Sequence, residues 1–281
     1  MFELPEIIHL AEQLRETVVG RRIVHVELAA PRPKFLFLSP DMPAFQKALV
    51  ERRIADVTPR GRWIFCGLDD GRTLLFGEFG GRLLFHRQEE PTPAKRHWIA
   101  EFDDGARLSL AIQMWGFLGV LTDEEIGRHP YAGTLTPTPL DVDFTEAAFF
   151  ERLDRHAAGE NKPIKAFLTH SPNVAGVGNG YLQDILFRSG LSPRRRISSL
   201  SRDERRALHA ALRQTLTNAA KLGGRDTERD LFDRPGGYVP LLDGRAVGRP
   251  CPTCGTSIVK IQYLGGSCYL CPTCQTEARR L

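Results

Sequence analysis

Apolar residues at positions 7, 10, 11, 14 and 18 recur at helical spacing over residues 5–19, with Pro5 in the first turn and Gly20 at the stop. From residue 22 to about 121 the pattern changes. Runs at 23–28, 35–38, 63–68, 73–76, 82–85, 98–102, 107–112 and 117–121 read as short strands, separated by turn pairs such as Asp70-Gly71, Gly80-Gly81 and Asp104-Gly105. Many short antiparallel strands predict a β-sandwich or barrel, with an amphipathic segment at 43–52 packed beside it. Residues 127–143, rich in Pro, Thr and Gly, read as a linker. Helical periodicity then returns at 144–158, 163–169, 180–189 and 201–222, the last introduced by Ser201 as N-cap with Glu204 at the capping-box position. Gly223-Gly224 stops that helix. The expected organisation is α+β: a strand-rich domain over 1–126, the linker 127–143, a helical domain over 144–248 and a cysteine-rich hairpin over 249–281.

The chain of 281 residues is long enough for two cores. No apolar run approaches the roughly 20 residues of a transmembrane helix. The acidic start, Met-Phe-Glu-Leu-Pro-Glu, lacks the basic and apolar regions of a signal peptide, so a cytoplasmic chain is expected. Charge is divided unevenly. Residues 1–150 carry 17 Lys+Arg against 22 Asp+Glu (−5), and residues 151–281 carry 21 against 12 (+9), which together give the overall +4. The basic half suggests a polyanion, most simply nucleic acid, with solvated surface charge as the alternative.

Two stretches carry candidate chemistry. Cys251-Pro-Thr-Cys254 and Cys271-Pro-Thr-Cys274 are separated by sixteen residues. Two such knuckles on a small hairpin supply four thiolates for a structural tetrahedral Zn²⁺, with a disulfide pair or unliganded cysteines as the alternative. Cys268 lies outside that spacing and reads as a packed thiol. The second stretch runs Ser171-Pro-Asn-Val-Ala-Gly-Val-Gly-Asn179-Gly180. Gly176 and Gly178 permit a tight turn with outward N–H groups at a helix start, an anion site to which Asn179 adds a donor. A plain interhelical turn is the alternative.

Glu3-Leu-Pro-Glu6, Val174-Ala-Gly-Val-Gly-Asn179 before a helix ending Leu186-Phe187, Gly190-x-x-Pro193 and the four-cysteine hairpin occur in that order. Together they resemble the formamidopyrimidine-DNA glycosylase/endonuclease VIII family of base-excision repair enzymes, over essentially the whole chain. The resemblance implies an N-terminal β-sandwich, a helix–two-turns–helix domain and a zinc finger, acting as a monomer on damaged or abasic double-stranded DNA. It also implies a free N-terminal amine, normally on proline, that attacks C1′ of a flipped-out nucleotide and forms a Schiff base. Glu3 matches the glutamate that relays protons to the sugar, and Glu6 matches the second acidic position.

Several positions depart from that pattern. Phe2 stands where proline belongs, and a bulky second residue normally keeps Met1 in place. The Met1 amine is then displaced by about 3.5 Å along an extended chain. Lys165 corresponds to a family lysine near the lesion, either a phosphate contact or a fallback amine. Arg62 replaces a phosphate-binding lysine, and Gly266 replaces the hairpin arginine. Phe79 and the run Gln113-Met114-Trp115 stand where three void-filling side chains are usual; Phe79 and Trp115 suit either a DNA wedge or core packing. Arg225, Asp226, Thr227 and Glu228 fall where the resemblance implies a lesion-capping loop able to contact an everted base, with a solvated loop as the alternative. Two readings follow: a DNA glycosylase with possible abasic-site lyase activity, or a catalytically impaired lesion-binding protein of the same fold.

Overall fold

The computed structural model describes residues 1–29, 34–135, 137–170 and 173–277. They form two compact units, Met1–Thr134 with Ala220–Tyr238, and Leu135–Ala219 with Val239–Leu281. In the first, helix α1 (Leu4–Val18) buries Ile7, Leu10, Ala11, Leu14 and Val18, the apolar stripe of the sequence. It is followed by β1 (Ile23–Leu28), β2 (Leu36–Ser39), α2 (Met42–Leu49), β3 (Ile54–Arg60), β4 (Trp63–Leu68) and β5 (Thr73–Gly77). Then come β6 (Gly81–His86), β7 (Trp98–Phe102), β8 (Arg107–Ile112), β9 (Gly116–Leu121) and a short α3 (Asp123–Arg128).

The strands make two sheets, of order β2-β9-β5-β4-β3 and β1-β7-β8-β6. One core joins them: Ile64, Leu74, Phe76 and Leu118 from the first sheet cluster with Val26, Leu83, Trp98 and Leu110 from the second. This is the expected sandwich. Three details differ from the sequence reading. Strand β3 is hidden in the sequence by Asp56 and Pro59; it is an edge strand, where proline breaks no ladder on its open side. Strands β2 and β9 pair in parallel, whereas the turn signals point to antiparallel pairing throughout. The start of the supposed linker is helical, because Thr122 and Glu125 form a capping box and Ile126 gives α3 a buried anchor.

The second unit contains α4 (Glu146–Ala158), α5 (Ile164–Thr169), α6 (Asn179–Arg188) and most of α7 (Arg202–Lys221), then the hairpin β10 (Val259–Tyr263) and β11 (Gly266–Leu270). The expected cap of α7 is present: Ser201 N–H donates to Glu204 Oε2 at 2.8 Å and Glu204 N–H to Ser201 Oγ at 3.2 Å. The helical domain is nevertheless interrupted. Residues 220–238, placed by sequence within 144–248, belong to the first unit, where Leu231 is buried and its carbonyl accepts from Phe85 N–H at 2.9 Å. Among the described residues no helix is long and apolar enough to cross a membrane.

Candidate functional site

Glu3 is the N-cap of α1, and its backbone N–H donates to Glu6 Oε2 at 2.9 Å, the return arm of a capping box. Both carboxylates are buried, each residue 3% exposed. Two buried anions this close to each other require a countercharge. Arg225 supplies it from the 220–238 loop. Its backbone N–H and Nε reach Glu6 Oε1 at 2.9 and 3.1 Å, Nη1 lies 3.5 Å from Glu3 Oε1, and Nη2 donates to the Met1 carbonyl at 2.9 Å. The loop approaches closely because Gly224 has φ +91° and no side chain; a Cβ there would stand 2.6 Å from Glu6 Cγ. The Met1 α-amine donates to Glu228 Oε1 at 3.2 Å, and that oxygen lies 3.4 Å from Arg225 Nη2. Met1, Glu3, Glu6 and Arg225 are thus brought together as one charged cluster. Its fifth member, Glu228, reads from sequence only as a loop residue able to touch a base.

Phe2 holds the amine in place. Its side chain is fully buried, its N–H donates to the Phe79 carbonyl at 3.1 Å, and the two rings meet edge-on at 5.0 Å. Phe79 is 1% exposed and packs in the core against the ring of Phe2. Gln113, Met114 and Trp115, in the turn between β8 and β9, are exposed; Met114 retains 58% and Trp115 47% of its surface, with Trp115 tilted against Phe35 at 5.3 Å. Arg62 is held by Glu78, with Nη2 2.8 Å from Oε2 and Nε 3.2 Å from Oε1, and its Nη1 stands 3.8 Å from Met1 Sδ. The partner expected for Arg62 is a phosphate; the partner it has in the fold is a carboxylate.

In the second unit, Gly176 takes φ +92° and Gly178 is the N-cap of α6. Ser171 and Pro172 lie outside the described residues. Asn179 is exposed, and its Nδ2 donates to the Ser267 carbonyl of the hairpin at 2.9 Å. Gln183 ties the same elements: its Nε2 reaches Ser267 O at 3.2 Å and its Oε1 accepts from Tyr269 N–H at 3.2 Å. Nothing in the sequence distinguishes Gln183 from an ordinary helix position. Lys165 is 4% exposed, with Nζ donating to the Tyr263 carbonyl at 2.6 Å and lying 3.4 Å from Cys268 Sγ. The amine is thus engaged inside the contact between α5 and the hairpin. Gly266 lies beside it; a Cβ there would stand 3.4 Å from Lys165 Nζ.

The sulfurs of Cys251, Cys254, Cys271 and Cys274 all lie within 4.8 Å of one another. Cys251–Cys274 and Cys254–Cys271 are 3.8 and 3.4 Å apart. A tetrahedral ion with metal–sulfur bonds of about 2.3 Å sets its sulfurs about 3.8 Å apart, so the donor set can hold one metal ion. The frame is secured by Gln275, whose Oε1 accepts from Cys271 N–H at 3.0 Å while its Nε2 donates to the Leu191 carbonyl at 3.0 Å.

Family models match two segments: the formamidopyrimidine-DNA glycosylase N-terminal domain over residues 1–112, and the H2TH domain of the same glycosylases over 135–230. A formamidopyrimidine-DNA glycosylase of Symbiobacterium thermophilum is 33% identical over 285 residues, covering 98% of this chain and 89% of that protein. The MutM (Fpg) protein of Thermus thermophilus superposes with a TM-score of 0.84 at 30% identity, covering 99% of this chain and 100% of the other. A MutM solved in complex with DNA containing carbocyclic 8-oxo-G gives 0.85 at 25% identity, over 97% and 99% of the two chains. The chain belongs to the formamidopyrimidine-DNA glycosylase family.

Proposed function

We propose that this chain is a DNA glycosylase of base-excision repair that releases a damaged base with water activated by Glu3, without covalent catalysis by an amine. The observation that carries this reading is the cluster itself: Glu3 and Glu6 converge with Arg225, while the Met1 amine is engaged by Glu228 at 3.2 Å. An amine used as a nucleophile must be free of its proton and of its carboxylate. Lys165, the other candidate amine, is occupied by Tyr263. Glu3 is left as the side chain able to take a proton from water attacking C1′ of an everted nucleotide. For that step Arg225 must leave Glu3, and the glycine at 224 gives its loop the backbone freedom to do so.

The DNA-bound relative supports damaged double-stranded DNA as the substrate, and the +9 charge of residues 151–281 supports phosphate contacts, Asn179 among them. Exposed Trp115, Met114 and Gln113 are the side chains able to enter the space left by the base. The metal is Zn²⁺ in a structural role, as four sulfurs leave no open position for a substrate. A cytoplasmic location fits these assignments. The second reading, a lesion-binding protein without turnover, is favoured by one observation: Arg225 fills the position between both carboxylates.

Single-turnover assays on duplexes carrying 8-oxoguanine, a formamidopyrimidine or an abasic site, scored separately for base release and nicking, distinguish the two. Release abolished by Glu3→Gln supports the glycosylase. Binding without release of any base supports the binder.

A further inference from the structure

Cys268 is the one hairpin cysteine outside the four-sulfur cluster. It sits on β11 opposite Ile261, fully buried. The polar atom facing its sulfur comes from another element: Lys165 Nζ, on α5, is 3.4 Å from Sγ. That amine is also oriented by the Tyr263 carbonyl at 2.6 Å, and the absence of a side chain at Gly266 leaves it space. A primary amine held 3.4 Å from a thiol is a juxtaposition of two nucleophiles that neither metal binding nor the glycosylase reading uses.

We propose that Lys165 and Cys268 form a peroxide-dependent covalent clasp between α5 and the zinc hairpin. In the first step the sulfur attacks one oxygen of hydrogen peroxide; the O–O bond breaks, and thiol plus peroxide become sulfenic acid plus water. Sulfur is oxidised and peroxide reduced. In the second step the Lys165 amine, having released its extra proton to solvent, attacks the sulfenic sulfur. The N–S bond forms, the S–O bond breaks, and the departing hydroxyl leaves as water with a proton from the amine. The product is a sulfenamide that thiols reverse. The clasp would lock the Asn179–Ser267 junction and remove the Lys165 charge.

The test is peptide mass spectrometry of the full-length, zinc-loaded protein after treatment with a few equivalents of hydrogen peroxide, digested without reductant. The expected result is a joined pair of peptides carrying Lys165 and Cys268, lighter by two hydrogens than their sum and separated by dithiothreitol. Tryptic cleavage after Lys165 is lost in the same sample. In Lys165→Arg, checked for full zinc content, the pair disappears and a cyclic 1,3-diketone captures Cys268 as sulfenic acid. Cys268→Ser, a second variant, abolishes pair and capture alike. The proposal is overturned if wild-type protein that retains its zinc yields no joined pair, or if diketone capture of Cys268 is as strong in wild type as in Lys165→Arg. Neither outcome depends on glycosylase activity.

Discussion

The acidic cluster and the cysteine hairpin both gather ionisable side chains at one point, but from opposite kinds of sequence. The hairpin draws its four sulfurs from 24 consecutive residues, and its two knuckles share the motif Cys-Pro-Thr-Cys. The acidic cluster joins Met1 to Glu228 across 227 positions and Glu6 to Arg225 across 219. Local ligands can be read from spacing, because a metal imposes its geometry on neighbours. Distant ion pairs cannot, since no residue of the loop announces which carboxylate it will meet. The first site is a donor set able to hold one metal ion; the second depends on one arginine and the glycine before it.

The largest effect should come from the hairpin. Structural zinc contributes about 10–16 kcal/mol of apparent binding free energy in small zinc modules at neutral pH. Chelation, or Cys271→Ala, is expected to open residues 249–277 to limited proteolysis while the first unit stays protected. In the acidic cluster, Arg225→Ala leaves Glu3 and Glu6 buried without their cation. Urea unfolding should show a loss of about 3–5 kcal/mol, partly recovered when Glu6→Gln is added. The recovery is what separates lost charge balance from lost packing.

Gly224→Ala should cost about 1–3 kcal/mol in the same assay, through its positive φ and the 2.6 Å approach to Glu6. Gln183→Ala removes hydrogen bonds from α6 to the hairpin and should cost about 1 kcal/mol, seen as faster amide exchange in β11 with zinc content unchanged. The smallest effect concerns Asp230. Burial pushes its carboxyl up, but hydrogen bonds from Gln13, Arg234 N–H and Phe232 N–H outweigh it and hold the group below its usual range. The stabilisation is therefore present above the unfolded value, about 3.9, and is lost as pH falls through the lower folded one. Asp230→Asn should flatten that acid limb of stability while leaving its slope above pH 6 unaltered.

The division between local and distant partners also decides what can be read in the sequence. Helix α1 is legible because its stripe at 7, 10, 11, 14 and 18 faces one continuous core. Strand β3 is not, because Pro59 argues against a strand unless its edge position is known. Phe79 stays open between wedge and core because its partner is the ring of Phe2, and that pairing requires the fold. Lys165 matches by position a lysine near the lesion, but its contacts with Tyr263 and Cys268 on the hairpin cannot be read from the sequence. In each case the missing information is a contact between residues far apart in the chain.

The most direct measurement is single-turnover base release from a duplex carrying one formamidopyrimidine, run in parallel with sodium borohydride. Free base should appear without a covalent protein–DNA adduct, and Glu3→Gln should abolish its release. A borohydride-trapped adduct, with base release undiminished by Glu3→Gln, would instead make an amine the nucleophile.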